Sequence, residues 1–116
     1  MMALFSKLKK EDVKLPNYQS QPILTAFERI IFEEANNDED KYIVDLATEL
    51  VNGNPLVINF EHLPAEQANK IVAFLSGVIF AADGRIEQIN KKIFLFARNQ
   101  EFKDGTLQRF IDEYKE

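Results

Sequence analysis

The segment from Pro55 to Arg98, PLVINFEHLPAEQANKIVAFLSGVIFAADGRIEQINKKIFLFAR, constrains the fold of this 116-residue chain more than any other. It reads as strand, helix, strand, turn, strand, and its helix is apolar on more than one face. From Ala68 a core stripe runs through Ile71, Val72, Leu75, Ile79 and Ala82 at helical spacing. Phe74, Val78 and Phe80 lie off that stripe, and Ala73, Gly77 and Ala81 form a row of small residues four apart. A surface helix needs one apolar face. The second face needs another surface to bury it, and a small-residue row lets a second helix come close. The segment therefore predicts a homodimer joined through Ala73, Phe74, Gly77, Val78, Phe80 and Ala81.

Around this segment the pattern predicts a two-layer α/β sandwich of order β-α-β-α-β-β with a C-terminal helix. Phe27 to Glu34 reads as the first strand, with Ile30, Ile31 and Phe32 at its centre. Asn36, Asn37 and Asp38 supply N-cap chemistry, and Glu39 and Asp40 favour the positive end of a helix running to about Val51. Its stripe is Ile43, Leu46, Ala47, Leu50 and Val51, and Gly53 is a natural stop. Leu56 to Phe60 is a nearly continuous apolar run, expected of a central strand, and a strand-helix-strand unit is expected to be parallel. Pro64 suits the first turn of the long helix, and Asp83-Gly84 ends it. Arg85 to Ile89 and Lys92 to Phe96 read as a hairpin turning at Asn90-Lys91. With a two-residue loop, Ile86, Ile93, Leu95 and Ala97 share one face, and Phe94 and Phe96 the other; a three-residue loop changes that pairing. Leu107, Phe110, Ile111 and Tyr114 make an amphipathic last helix, for which the Phe94/Phe96 face is a candidate cover.

Charge is unevenly placed. The chain carries −5 overall, yet residues 1–10 hold Lys7, Lys9 and Lys10 and no acid, which leaves −8 on residues 11–116. An acidic body repels phosphate backbones, so nucleic acid is not an expected partner. The basic tip points to an anionic surface instead. Met1, Leu4, Phe5 and Leu8 fall on one side of a helix flanked by those lysines, and with Met2 they form the candidate membrane-binding segment. Residues 11–25 contain Pro16 and Pro22 among polar residues and read as a linker, followed by the domain at 26–116. No apolar run approaches the roughly 18 residues of a spanning helix, and the N-terminus lacks the apolar stretch of a signal peptide, so export by that route is not expected.

No catalytic constellation is visible, and an enzyme is the weakest class. The chain has no Cys and one His, His62, so no thiolate site and no His pair for zinc is available. The acids Glu33, Glu34, Asp38, Glu39 and Asp40 lack the spacing of a calcium loop. The glycines are too dispersed for a phosphate-binding loop. No metal or cofactor is expected. Asn59 is read as holding the turn that follows it by side-chain to backbone bonding. Phe94 and Phe96 have two readings: core residues, or a hydrophobic groove edged by charge in which a partner peptide docks an anchor. A small-ligand-binding regulatory module without membrane association remains the alternative to a binding scaffold.

The run VINF, a turn, EQANKIVAFLSGVIFA, a short turn and RIEQINKKIFLF resembles the bacterial cell-division family SepF. The resemblance spans about Phe27 to Phe96, and its most specific parts are FLSG followed by Phe80-Ala81 and the closing IFL strand. It implies a dimerising and polymerising domain at the inner, cytoplasmic face of the cell membrane at the division site. It also implies a tether through an N-terminal amphipathic helix and binding of the C-terminal tail of the tubulin-like protein FtsZ. For that tail the resemblance favours Phe94, with Phe96 beside it; the basic position in the preceding strand is Gln88 here, leaving Lys92 or Arg85 to supply charge. The family usually has Gly-Gly where this chain has Ala82-Asp83-Gly84, and its linker is usually longer.

Overall fold

Residues 24–116 are described by the computed structural model, and they build a four-stranded sheet with helices on both faces. The elements are β1 (Ile31–Glu34), α1 (Asp40–Val51), β2 (Leu56–Asn59), α2 (Ala65–Ala81), β3 (Gly84–Gln88), β4 (Ile93–Arg98) and α3 (Thr106–Tyr114), with 3-10 turns at Phe27–Arg29 and Asn99–Phe102. Across the sheet the order is β1-β2-β4-β3. β1 and β2 are parallel, and β4 is antiparallel to both its neighbours. This is the expected β-α-β-α-β-β order with a terminal helix. The candidate membrane segment at residues 1–10 and most of the linker lie outside the described residues.

The sheet separates two apolar layers. On one side Ile43, Leu46 and Leu50 of α1 and Ile71, Leu75 and Ile79 of α2 close over Leu56, Ile58 and Phe96. On the other, Leu107, Phe110 and Ile111 of α3 cover Val57, Leu95 and Ala97. The unbroken run Leu56-Val57-Ile58 is therefore buried on both faces of the central strand. The last helix does not cover the Phe94/Phe96 face, because α1 and α2 already occupy it.

Local chemistry fixes the boundaries. α1 ends with Gly53 at φ 97°, where the Gly53 N–H donates to the Leu50 carbonyl at 3.0 Å and the Asn54 N–H to the Glu49 carbonyl at 2.9 Å. At its start the N-cap residue is Glu39, whose side chain makes no capping bond. Asn37 acts two residues earlier, its Oδ1 accepting from the Glu39 N–H at 2.9 Å. Pro64 sits at the N-cap of α2, one residue before the first turn. The turn after α2 places Asp83 in the left-handed region at φ 59°, a conformation Asp tolerates better than most residues. Its carbonyl and carboxylate both accept from Asn99, at 2.9 and 3.1 Å.

Strand ends elsewhere shift by one or two residues, and two boundaries differ from the sequence reading with consequences for packing. The first strand begins at Ile31, because Phe27–Arg29 turns instead: the Ala26 N–H donates to Asp104 Oδ2 at 2.9 Å and the Phe27 N–H to Thr106 Oγ1 at 3.0 Å. The hairpin loop has three residues, Asn90 to Lys92. Asn90 Oδ1 accepts from the Lys92 and Ile93 N–H groups at 2.8 and 3.0 Å, which adds one residue to the turn. Ile86 then pairs with Phe96 and faces α1 and α2 with it, and does not join Ile93, Leu95 and Ala97.

Candidate interaction surface

α2 is longer and more apolar than one face requires. Ile71, Leu75 and Ile79 are buried, with Ala68, Val72 and Val78 packed beside them. Around the helix at 100° per residue, Ala73, Phe74, Phe80 and Ala81 lie within about 60° of Gly77. All five are exposed, Phe80 by 88% and Phe74 by 46%. A Cβ built on Gly77 meets nothing within 4 Å, so the centre of this face is open. Five of the six expected interface residues form one surface. Val78 is the exception, half-buried and packed on the core.

The surface continues onto α1. Val44 is 51% exposed and lines a shallow groove with Phe74, Ala73, Ile43, Asp40 and Lys70. Lys70 lies on the same side of α2, but its Nζ donates to the Asp38 carbonyl at 3.0 Å and lies 3.4 Å from Asp40 Oδ1. That draws its charge toward the start of α1 and away from Gly77. Val44 escaped the sequence reading because it lies beside the α1 stripe. Its signal was Val51, seven residues on, which is also exposed (54%) and not part of the core.

The second expected site divides across the sheet. Phe94 is half-buried on the α1/α2 face, its ring 5.9 Å from that of Phe60 and 6.5 Å from that of Phe96. Gln88 is its cross-strand partner and is exposed, and Lys92 is exposed in the adjacent loop. Phe96 is fully buried, so the core reading holds for it. Arg85 points to the opposite face, its guanidinium 3.8 Å from the Phe102 ring centroid and 3.9 Å from Glu87, and it supplies no charge to Phe94. A patch of Phe94, Gln88 and Lys92 remains.

The other residues weighed from sequence take structural places. Asn59 Oδ1 accepts from the Glu61 N–H at 2.9 Å, holding the turn as expected, and His62 is exposed. Among the described residues no group of His, Cys, Asp and Glu is arranged to hold a metal ion, and no helix is long and apolar enough to cross a membrane.

Comparison with known proteins places this architecture. A family model described as cell division protein SepF matches residues 38–100. A cell division protein SepF of Carboxydothermus hydrogenoformans is 31% identical over 97 residues, which cover 84% of this chain and 69% of the relative. Another, from Lactiplantibacillus plantarum, is 39% identical over 69 residues, covering 59% of this chain and 49% of that protein. Among solved structures, a SepF-like protein from Pyrococcus furiosus aligns over 69% of this chain and 94% of its own, with TM-score 0.53 and 14% identity. One from Archaeoglobus fulgidus covers 60% and 83%, with TM-score 0.53 and 13% identity. At those identities the structures speak for the fold alone.

Proposed function

From the premise that this chain belongs to the SepF family of cell division proteins, we propose that it is a non-enzymatic membrane adaptor for FtsZ filaments at the division septum. The observation that carries this reading is the apolar face of α2 around Gly77, left open with Phe80 88% exposed. Fully burying one such side chain is worth about 1.5–3 kcal/mol, and a self-complementary two-fold contact buries each residue twice. The domain dimerises there and assembles further. Residues 1–10, with Leu4, Phe5 and Leu8 among Lys7, Lys9 and Lys10, attach it to anionic lipid on the inner face of the membrane. One such segment is a weak anchor, and several on one assembly gain roughly 10²–10⁴ in avidity. The patch of Phe94, Gln88 and Lys92 takes the FtsZ C-terminal tail.

Co-sedimentation with anionic liposomes tests the anchor: the full chain should sediment, and Leu4→Glu with Phe5→Glu should not, while circular dichroism stays unchanged. Sedimentation of the double variant at the level of the parent chain would overturn it. A pull-down with the FtsZ C-terminal peptide tests the partner.

A further inference from the structure

A second groove among the described residues lies on the other side of the sheet, away from α2. The 3-10 turn at Phe27–Arg29 and helix α3 border a groove of about 420 Å³, within the size range of ligand pockets. Its floor is an aromatic row, with Phe27 6.0 Å from Phe110 and Phe110 5.1 Å from Tyr114, ring to ring. Tyr114 is 43% exposed. Among the described residues, Glu28 and Glu113 stand on its rim, Arg109 is the one cation lining it, and Asp112 precedes Glu113 on α3.

The described chain enters the domain at this groove. Thr25 lines it, and the approach is pinned by three bonds: Arg29 Nη1 donates to the Leu24 carbonyl at 2.9 Å, Ala26 N–H to Asp104, and Phe27 N–H to Thr106. The preceding 23 residues therefore start from the groove's rim. They carry, at Leu4, Phe5, Lys7, Leu8, Lys9 and Lys10, apolar side chains among cations, which complement an aromatic floor with a mainly acidic rim. The 13 residues between Lys10 and Leu24 span at most about 45 Å, enough to return along the groove.

We propose that this groove receives the N-terminal segment of the same chain, residues 1–10, whenever no lipid surface competes for it. Docking and lipid insertion use the same apolar side chains, so they exclude one another. The groove thus sets a threshold for attachment: a segment docked nine-tenths of the time shows about tenfold weaker apparent lipid affinity. The competition with lipid rests on the anchor reading above; the docking does not.

The chain has no cysteine, so Ser6→Cys on the full chain takes a single nitroxide label. The label should broaden the amide resonances of Arg109, Phe110 and Tyr114, independently of protein concentration, and phosphatidylglycerol vesicles should relieve the broadening. Tyr114→Ser, at an exposed site, and Glu113→Lys should each reduce the broadening and raise vesicle affinity several-fold. No broadening at α3, or broadening that Tyr114→Ser leaves intact, overturns the proposal. Broadening that also appears when labelled natural-abundance copies are mixed with unlabelled isotope-enriched copies overturns it too, since the occupant is then another molecule. Broadening at the groove without any vesicle binding supports docking and sinks the anchor reading; vesicle binding without broadening does the reverse.

Discussion

The backbone N–H of Ala26 donates to the carboxylate of Asp104 at 2.9 Å, joining the first described turn to the start of α3 across 78 positions. The same side chain accepts from the Thr106 N–H and hydroxyl at 2.9 and 2.8 Å. Desolvation is the largest single influence and opposes its charged form, but the bonds from Thr106 and Ala26 and the nearby Arg29 together outweigh it and hold the carboxyl below the usual Asp range.

Asp104→Ala should therefore destabilise the domain by about 1–3 kcal/mol, because Ala26 is buried and its N–H loses its acceptor. The linkage has a sign. A carboxyl with a lowered folded pKa stabilises above its unfolded-state value, and that contribution is lost as pH falls through the folded one. Urea midpoints measured from neutral to acidic pH should fall less steeply for Asp104→Ala than for the parent chain.

A second prediction concerns Glu101, 5% exposed, whose two oxygens accept from Arg29 and from Arg98, the latter at 2.6 Å. Arg29 also donates to the Gly53 carbonyl at 3.3 Å and Arg98 to the Val51 carbonyl at 3.3 Å, so the cluster ties the end of α1 to both flanking turns. Glu101→Ala leaves two guanidinium groups without their shared counter-charge. A loss on the order of 3 kcal/mol is expected by chemical denaturation, with Glu101→Gln losing less.

Gly84 makes the third case. A Cβ there stands 2.5 Å from the Ala97 carbonyl oxygen and 3.0 Å from the Arg98 Cα, both backbone atoms of the neighbouring strand. Gly84→Ala should cost about 1–3 kcal/mol through overpacking. A thermal midpoint equal to that of the parent chain would show that β3 shifts freely.

These residues mark where sequence reading succeeds and where it stops. The double burial of β2 was written in Leu56-Val57-Ile58, and the open face of α2 in the row of Ala73, Gly77 and Ala81. The partition of side chains in the hairpin depended on one residue, Lys92. Counting it in the loop moves Ile86 to the opposite face, since strand side chains alternate. Asn90, whose carboxamide oxygen takes the Lys92 and Ile93 N–H groups, decided this without the glycine that usually announces such a turn. The Glu101 cluster was half hidden: Arg98 is three residues away, but Arg29 and Glu101 are 72 positions apart. The α3 groove was hidden, as it needs the first and last described elements side by side.

For the proposed partner site, Phe94→Ala should weaken binding of the FtsZ C-terminal peptide by about 1–3 kcal/mol in calorimetry. Phe94 is half-buried against Phe60 and Phe96, so some stability is lost as well, less than the roughly 3–5 kcal/mol of a fully buried ring. Arg85→Ala serves as the control. Its side chain lies on the other face over Phe102, and peptide affinity should not change. An affinity lost with Arg85 and kept with Phe94 would move the site across the sheet.

Assembly is tested at Gly77. The amphipathic helix α3 is committed to Val57, Leu95 and Ala97 on the opposite side of the sheet, so the chain offers no cover for Phe74 and Phe80 from its described residues. In an antiparallel two-fold contact centred on Gly77, Phe80 meets the partner copy near its Phe74 and Val44, and Ala73 meets Ala81. Gly77→Lys places two like charges at the crossing, where close packing leaves room for neither their volume nor their hydration. Within one molecule the same lysine points into open space, since a Cβ at Gly77 touches nothing within 4 Å. Folding should therefore survive, while light scattering at matched concentration should report a monomer, and liposome binding should fall as avidity is lost. Phe80→Ser, which removes an 88% exposed ring, should weaken the dimer without opposing charges. A Gly77→Lys protein that remains dimeric would place the contact elsewhere and leave this apolar face to a different partner.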